Sequence, residues 1–281
     1  MSNIIKAFIN IVKTYQEDIQ NVAVGNNRAN NMGDALEIYI KNIFAETFAI
    51  VDEQEKLPIF ENIYSYQGNT NNPPDLMLKN SDAIEIKKIE SKNSAIALNS
   101  SYPKAKLYAT SPLITKACKE CEAWEIKDML YAIGQINKKK LKSLWLIYGD
   151  CFCADQEVYE KIKNAISKGI NTIPDVEFTP SKELGKVKKV DPLGITDLRI
   201  RGMWHIENPV KTFSYVYNYD DAKEFQLICL MKKEKYDSLP NEERRMVENI
   251  DNVNVEVTDI RIKNPNNPVQ LLDAKLLVFK V

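Results

Sequence analysis

The chain has 281 residues, 44% of them hydrophobic, enough for one large core or two small ones. Its 38 basic and 39 acidic side chains leave a net charge of −1, so bulk electrostatics do not announce a nucleic-acid binder, and any such surface must be local. No apolar run reaches the length of about 18 residues that a membrane helix needs, and five cysteines without a secretory-type leader fit a reducing cytoplasm.

In chain order, apolar spacing predicts an amphipathic surface helix from Ile4 to about Val24, ended by Gly25-Asn26-Asn27. A second helix starts after Asn30-Asn31 and runs to about Phe48. Ile59 to Tyr66 reads as a strand. A hairpin follows, with arms at 74–79 and 83–89 around the turn-type cluster Lys79-Asn80-Ser81-Asp82, and then a short run at Ala95 to Leu98. Asp128–Ile136 and Leu141–Cys151 read as strands, the second buried on both faces, and a helix spans Gln156 to Ile170. Asn171–Pro192, rich in Pro, Lys and polar residues, reads as a long loop. Ile195–Ile206, Phe213–Tyr219, Phe225–Met231, Val253–Ile262 and Ala274–Val281 alternate as strands do, with a short helix at Asn241–Asn249. There is no regular strand–helix–strand rhythm and no clear boundary. The expectation is one domain over 1–281, α/β in the α+β sense, with a mixed central β-sheet flanked by helices.

The hairpin carries the most chemistry. Asp75 follows Pro74 at the start of its first arm; Glu85 and Lys87 lie in the second. Side chains alternate along a strand, so Glu85 and Lys87 share one face while Ile84 and Ile86 point into a core. Folding the arms together brings two carboxylates and one ammonium around a point. Two hard oxygen ligands with open positions suit Mg²⁺, and a neighbouring lysine can orient or help deprotonate a water, which is chemistry for phosphodiester hydrolysis. An exposed Glu-x-Lys on an ordinary half-buried strand would give the same letters.

Other segments bear on that reading. Glu37 falls within the apolar arc of Met32, Leu36, Ile40, Ile43, Phe44 and Phe48, where a carboxylate needs a cation or a partner. It either stands beside the metal and Lys87, or sits at the stripe's edge bonded to Lys41. Lys92, Lys104 and the row Asn99-Ser100-Ser101 offer donors for bases or phosphates, as do Arg199 and Arg201 on one face of a strand. An ordinary polar turn and a surface ion-paired strand are the plainer alternatives. The lysine runs at 138–142 and 186–189 fit solvated faces.

Cys118-x2-Cys121 and Cys151-x-Cys153 could hold structural Zn²⁺, but the spacing is poor for a zinc knuckle and buried or idle thiols are the plainer reading. The single histidine, His205, reads as a packing residue between Trp204 and Ile206. Sparse glycines argue against a P-loop or a dinucleotide-binding turn.

The Pro74-Asp75…Glu85-Ile86-Lys87 pattern, followed by LNSSYP, WEIKDMLYAIG, LWLIYGD and LRIRGMW, resembles the type II restriction endonucleases of the PD-(D/E)xK superfamily, and within it the NgoPII-type group. The matching pieces run from Gly33 to about Pro209. The resemblance implies a homodimeric, Mg²⁺-dependent enzyme that cuts both strands of double-stranded DNA at a short palindrome, leaving 5′-phosphate and 3′-hydroxyl ends. A cognate DNA methyltransferase would protect the same host. It assigns Asp75 and Glu85 as metal ligands with the Ile86 carbonyl, Lys87 as the residue that positions the water, and Glu37 as a helical carboxylate near the metal. The DNA-contact segments would be 92–106 and 197–209. The group's targets are GC-rich, GGCC for its type member. A repair or junction-resolving nuclease on the same core, and a non-catalytic DNA-binding module, are the rival expectations.

Overall fold

A computed structural model describes residues 2–15, 32–69 and 72–281. In chain order its strands are β1 (Tyr64–Asn69), β2 (Asn72–Leu78), β3 (Ala83–Ile89), β4 (Ile96–Ala97), β5 (Lys106–Tyr108), β6 (Ile126–Asn137) and β7 (Lys140–Tyr148). After these come β8 (Gly185–Val187), β9 (Leu198–Ile200), β10 (His205–Ile206), β11 (Gln226–Lys232), β12 (Val255–Asn264) and β13 (Asn267–Lys280). Nine strands form one sheet in the order β1-β2-β3-β6-β7-β11-β13-β12, with β5 paired to one end of β6. The β3–β6 and β7–β11 pairs are parallel and the rest antiparallel, so the sheet is mixed, with helices against it, as expected.

The centre of the sheet is dry. Leu144, Trp145, Leu146 and Ile147 of β7 and Leu227 to Met231 of β11 are all buried, as near-continuous apolar runs demand of strands covered on both faces. Each such side chain contributes about 1.5–3 kcal/mol by leaving water. The Met32–Ala45 helix lies over β3 and β6, and Gly134 on β6 leaves room for it: an added Cβ would come within 2.7 Å of the Leu36 side chain. The Ile4–Thr14 helix, capped by Asn3 through the Ile5 and Lys6 N–H groups, packs on the Met32–Ala45 helix in turn. The expected continuation to Val24, its Gly25-Asn26-Asn27 stop and the Asn30-Asn31 start lie outside the described residues.

The hairpin is β2–β3, with Leu76 opposite Ile84 and Met77 opposite Ala83. Its closed end is clamped by buried charge. Lys127 donates to the carbonyls of Leu78 (3.1 Å) and Ser81 (2.6 Å). Asp82 accepts from Tyr148 OH and Lys235 Nζ, each at 2.7 Å, and Lys235 also reaches Asp128 at 2.6 Å. Lys127, Asp82, Tyr148 and Lys235 thus satisfy one another or the turn's carbonyls, as a low-dielectric interior requires.

Several expectations fail locally. Ile59–Ile63 is helical, the end of a Glu53–Ile63 helix that Asp52 caps by accepting from Gln54 N, and the strand starts only at Tyr64. Leu141–Cys151 ends as a strand at Tyr148, where a short Gly149–Phe152 helix begins. Asn171–Pro192 is not wholly loop, because it contains β8. Ile195–Ile206 is two short strands, β9 on β8 and β10 on β4. Phe213–Tyr219 is no strand: Asn208 caps a turn of helix with Pro209 at its first position, and the chain continues in turns. The Lys116–Glu120 and Lys233–Ser238 helices had no counterpart in the sequence reading. No described helix is long and apolar enough to cross a membrane.

Candidate active site

One step beyond the paired residues Leu76 and Ile84, the antiparallel register sets Asp75 across from Glu85 on the same face of the hairpin. Gly68 on β1 permits this: a Cβ there would lie 2.3 Å from the Pro74 carbonyl oxygen, so only glycine lets β1 run so close beside Asp75. Asp75 Oδ2 accepts from the Ile86 backbone N–H at 2.6 Å. Lys87 Nζ stands 2.6 Å from Glu85 Oε1. Glu85 Oε2 is buried and has no hydrogen-bond partner.

The electrostatics follow from this crowding. Burial first, then the Glu85 charge, push the Asp75 carboxyl up to about 7, against the pull of Lys87 and of the Ile86 N–H. Burial works to lower the Lys87 ammonium, but the carboxylates of Glu85 and Asp75 outweigh it and the net shift is upward, so Lys87 is charged at neutral pH. An orphaned buried oxygen beside a carboxyl whose ionisation is opposed first by burial and then by the Glu85 charge is a place short of positive charge. That donor set fits a divalent cation: the unpartnered Glu85 Oε2 and the carboxyl group of Asp75 across the hairpin are hard oxygen ligands.

These three side chains open onto a cleft of about 490 Å³ that Asn99, Ser100, Ser101 and Arg201 also line. The two segments expected to touch DNA are knit into one lip. Leu98 N donates to Trp204 O and Trp204 N to Asn99 O, both at 2.8 Å, beside the β4–β10 pairing. Asn99 takes a left-handed φ of 52°, a conformation asparagine tolerates, and so turns the lip toward the cleft.

Other expected residues sit differently. Arg199 is not among the residues lining the cleft, and its guanidinium and that of Arg201 both bind Glu183, at 2.7 and 2.5 Å. Lys92 pairs with Asp221 and lies 5.7 Å from the Tyr219 ring centre. Lys104 is 7% exposed, its ammonium turned inward to Ser101 Oγ and the Tyr102 carbonyl. Burial lowers it to about 8. So covered, Lys104 directs its ammonium into the protein rather than to the cleft surface. Glu37 is exposed rather than set in the apolar arc, because Ala35 and Tyr39 join Leu36, Ile40 and Ile43 in rotating the buried stripe away from it. It lines a second cavity, of about 630 Å³, that reaches the other side of Asp75. Partial burial, then Asp34, raise the Glu37 carboxyl although its surface is open; Lys87 opposes them.

Lys182 and Asn72 line the cleft too, and no motif in the sequence marks either as a site residue. Asn72 preceded the Pro-Pro-Asp run and Lys182 lay in the supposed loop, so proximity to Asp75 was the only available signal, and only for Asn72. The five cysteines are free thiols. Burial pushes Cys118 and Cys153 up to about 12, and no three His, Cys, Asp or Glu side chains converge among the described residues, so nothing there assembles a zinc site. His205 is exposed on β10, not a packing residue.

The NgoPII restriction endonuclease family model matches residues 2–263. The type II restriction enzyme NgoPII of Neisseria gonorrhoeae is 46% identical over 278 residues, 99% of either chain. No solved structure matches significantly.

Proposed function

This chain belongs to the NgoPII restriction endonuclease family, and from that premise we propose how it acts. It is a type II site-specific deoxyribonuclease, and its cleft hydrolyses one phosphodiester bond on each strand of a short GC-rich palindrome, GGCC being the first candidate. The observation that carries the reading is the buried, unpartnered Glu85 Oε2 next to Asp75 and Lys87 at the floor of a cleft.

Asp75, Glu85 and the Ile86 carbonyl would hold Mg²⁺. The chemistry that ion supplies when bound is neutralisation of the scissile phosphate's charge and a more acidic water. Lys87, being protonated, does not serve as the base; it donates a hydrogen bond to the attacking water and offsets the charge that grows on the phosphate. In-line attack forms the new bond from the water's oxygen to phosphorus and breaks the bond to the 3′-oxygen; the water gives its proton to solvent in the cleft and the 3′-oxygen takes one from solvent, leaving 5′-phosphate and 3′-hydroxyl ends. Glu37 acts from the far side of Asp75 as an outlying carboxylate that tunes the charge of the site. Asn99, Ser100, Ser101 and Arg201, at the lip, reach bases or phosphates, with Lys92 and Arg199 farther out. A palindrome presents each contact twice, so the enzyme works as a homodimer in the bacterial cytoplasm, beside a methyltransferase that marks the host's own sites.

Digestion of a plasmid in Mg²⁺, with mapping of the ends, tests the proposal. Discrete fragments with ligatable 5′-phosphate ends at one palindrome support it. A smear, structure-dependent nicking or intact plasmid would overturn it in favour of a repair nuclease or a non-catalytic binder.

A further inference from the structure

The chain on either side of Glu183 is tied down. Lys182 Nζ donates to the Pro112 carbonyl at 3.1 Å, and both residues line the cleft. Glu183 N donates to Ser181 Oγ at 3.2 Å. Leu184 N donates to the Ile200 carbonyl at 3.0 Å, just past the β8–β9 ladder, and the Leu184 carbonyl accepts from Ser167 Oγ at 2.9 Å. The Glu183 carboxylate is thereby fixed beside the end of β9, where Arg199 and Arg201 stand.

One carboxylate serves two guanidinium groups, and it serves them differently. Arg199 lies along both oxygens, with Nε 2.9 Å from Oε2 and Nη2 2.7 Å from Oε1. Arg201 donates from Nε to Oε1 at 2.5 Å, and its guanidinium makes no other hydrogen bond among the described residues. Nε is the inner nitrogen. The terminal Nη1 and Nη2, which can fork onto guanine O6 and N7, are left without a hydrogen-bond partner. The Glu183 side chain is 15% exposed against 54% and 52% for Arg199 and Arg201, so the carboxylate lies behind the guanidinium groups rather than over them.

We propose that Glu183 is a positioning residue for sequence reading: it anchors Arg201 by Nε so that the terminal guanidinium nitrogens present a fixed fork to one base pair over the cleft. The step rests on the reading of the cleft as a DNA site and adds what sets its selectivity. A free arginine side chain carries about 2 kcal/mol of rotamer entropy and can swing to any nearby phosphate. Anchored at Nε, Arg201 gives up that freedom before DNA arrives. The same carboxylate works against wrong sequences. The hydrogen bond from Arg199 first, against partial desolvation, and then that from Arg201 hold its carboxyl below the ordinary range, so it is charged at neutral pH. A negative charge there repels phosphates wherever no base contact offsets the approach. A carboxylate that merely covered Arg201 would occupy the Nη edge instead and would weaken binding to every sequence.

The test compares kcat/KM in Mg²⁺ for a duplex carrying the palindrome at which the wild type cuts plasmid with that for duplexes changed at one base pair of it. Arg201→Ala marks the base pair it reads, as the position where that ratio falls. Glu183→Gln, folded by circular dichroism, lowers the ratio about tenfold or more at the same position and leaves the others within about twofold. It also tightens binding to an unrelated duplex. Adding Glu183→Gln to Arg201→Ala changes the ratio no further, a non-additivity that a merely structural role would not produce. If Glu183→Gln leaves the ratio intact, or lowers it at every position alike, the proposal is wrong. If it tightens binding to the palindrome as much as to other sequences, the carboxylate is a cover and the proposal is equally wrong. A wild type that prefers no palindrome would instead sink the restriction reading on which the step rests.

Discussion

Asp75 Oδ2 is held by the backbone N–H of Ile86 at 2.6 Å, across two strands and eleven positions of sequence. The bond does more than satisfy a carboxylate. It pins one metal-ligand candidate to the residue between the other two charged groups, so the spacing of Asp75, Glu85 and Lys87 is set by the strand ladder rather than by flexible side chains. Asp75 Oδ2 is occupied, and across the hairpin Glu85 Oε2 is buried without a partner. A pre-set constellation of this kind needs little rearrangement when a cation and a phosphate arrive.

Cation binding should therefore be proton-linked. A ligand must be ionised to bind, and Asp75 is held near 7. Calorimetric titration with Mg²⁺ should show apparent affinity falling about tenfold per unit as pH drops below about 7, with proton release on binding. A flat profile from pH 8 to about pH 6 would remove Asp75 from the ligand set.

The same shift carries a stability prediction for the metal-free protein. The folded-state value of Asp75 lies above its ordinary 3.8, so the native state keeps a proton that the unfolded chain gives up. The stability this contributes is complete below about pH 4 and is lost as pH rises through about 7. Asp75→Asn keeps an acceptor for the Ile86 N–H and has no charge to bury. At pH 8 it should stabilise the metal-free protein by on the order of 1–2 kcal/mol, after allowance for water in the cleft, while abolishing cleavage. Thermal melts across the pH range measure both limbs.

The two arginines should part ways. Arg201 lines the cleft and Arg199 does not, although both bind Glu183. Arg201→Ala should cost about 1–3 kcal/mol of discrimination at one base pair if it reads a guanine, whereas Arg199→Ala should weaken binding to all sequences alike. Competition binding against single-base variants of the site separates the cases.

The closed end of the hairpin is structural. Asp82→Ala leaves Lys235 and Tyr148 without their shared acceptor in a buried network. Lys235 retains Asp128 at 2.6 Å, so the loss should be about 2–4 kcal/mol in urea unfolding rather than the full cost of an isolated buried charge. Cleavage per folded molecule should change little.

What the sequence made legible was whatever a strand or helix period encodes locally. The Gln156–Ile170 helix has the bounds its periodicity indicates, and β6, β7, β11 and β12 appear with ends moved by a few residues, whereas β13 starts at Asn267, well before the expected Ala274. The pairing of Asp75 with Glu85 was legible because a short turn between two apolar arms leaves few registers open. Illegible were features set by distant partners. Lys104 looked like a surface lysine until the fold put its backbone under the Tyr131 hydroxyl at 2.7 Å and turned its ammonium inward. Phe213–Tyr219 alternates, yet the Asn208 cap and Pro209 decide its start, and no strand partner lies beside it. Glu37 was misplaced by one helical face because the arc was drawn without Ala35 and Tyr39.

The most direct measurement compares Lys87→Ala with the wild type in two assays on one DNA, cleavage of supercoiled plasmid in Mg²⁺ and equilibrium binding of the uncut site. The account predicts that the variant keeps sequence-specific binding within a few-fold and loses cleavage by about 10²–10⁴-fold, since the charge it removes acts on the transition state. A variant that cuts at the wild-type rate would contradict it outright.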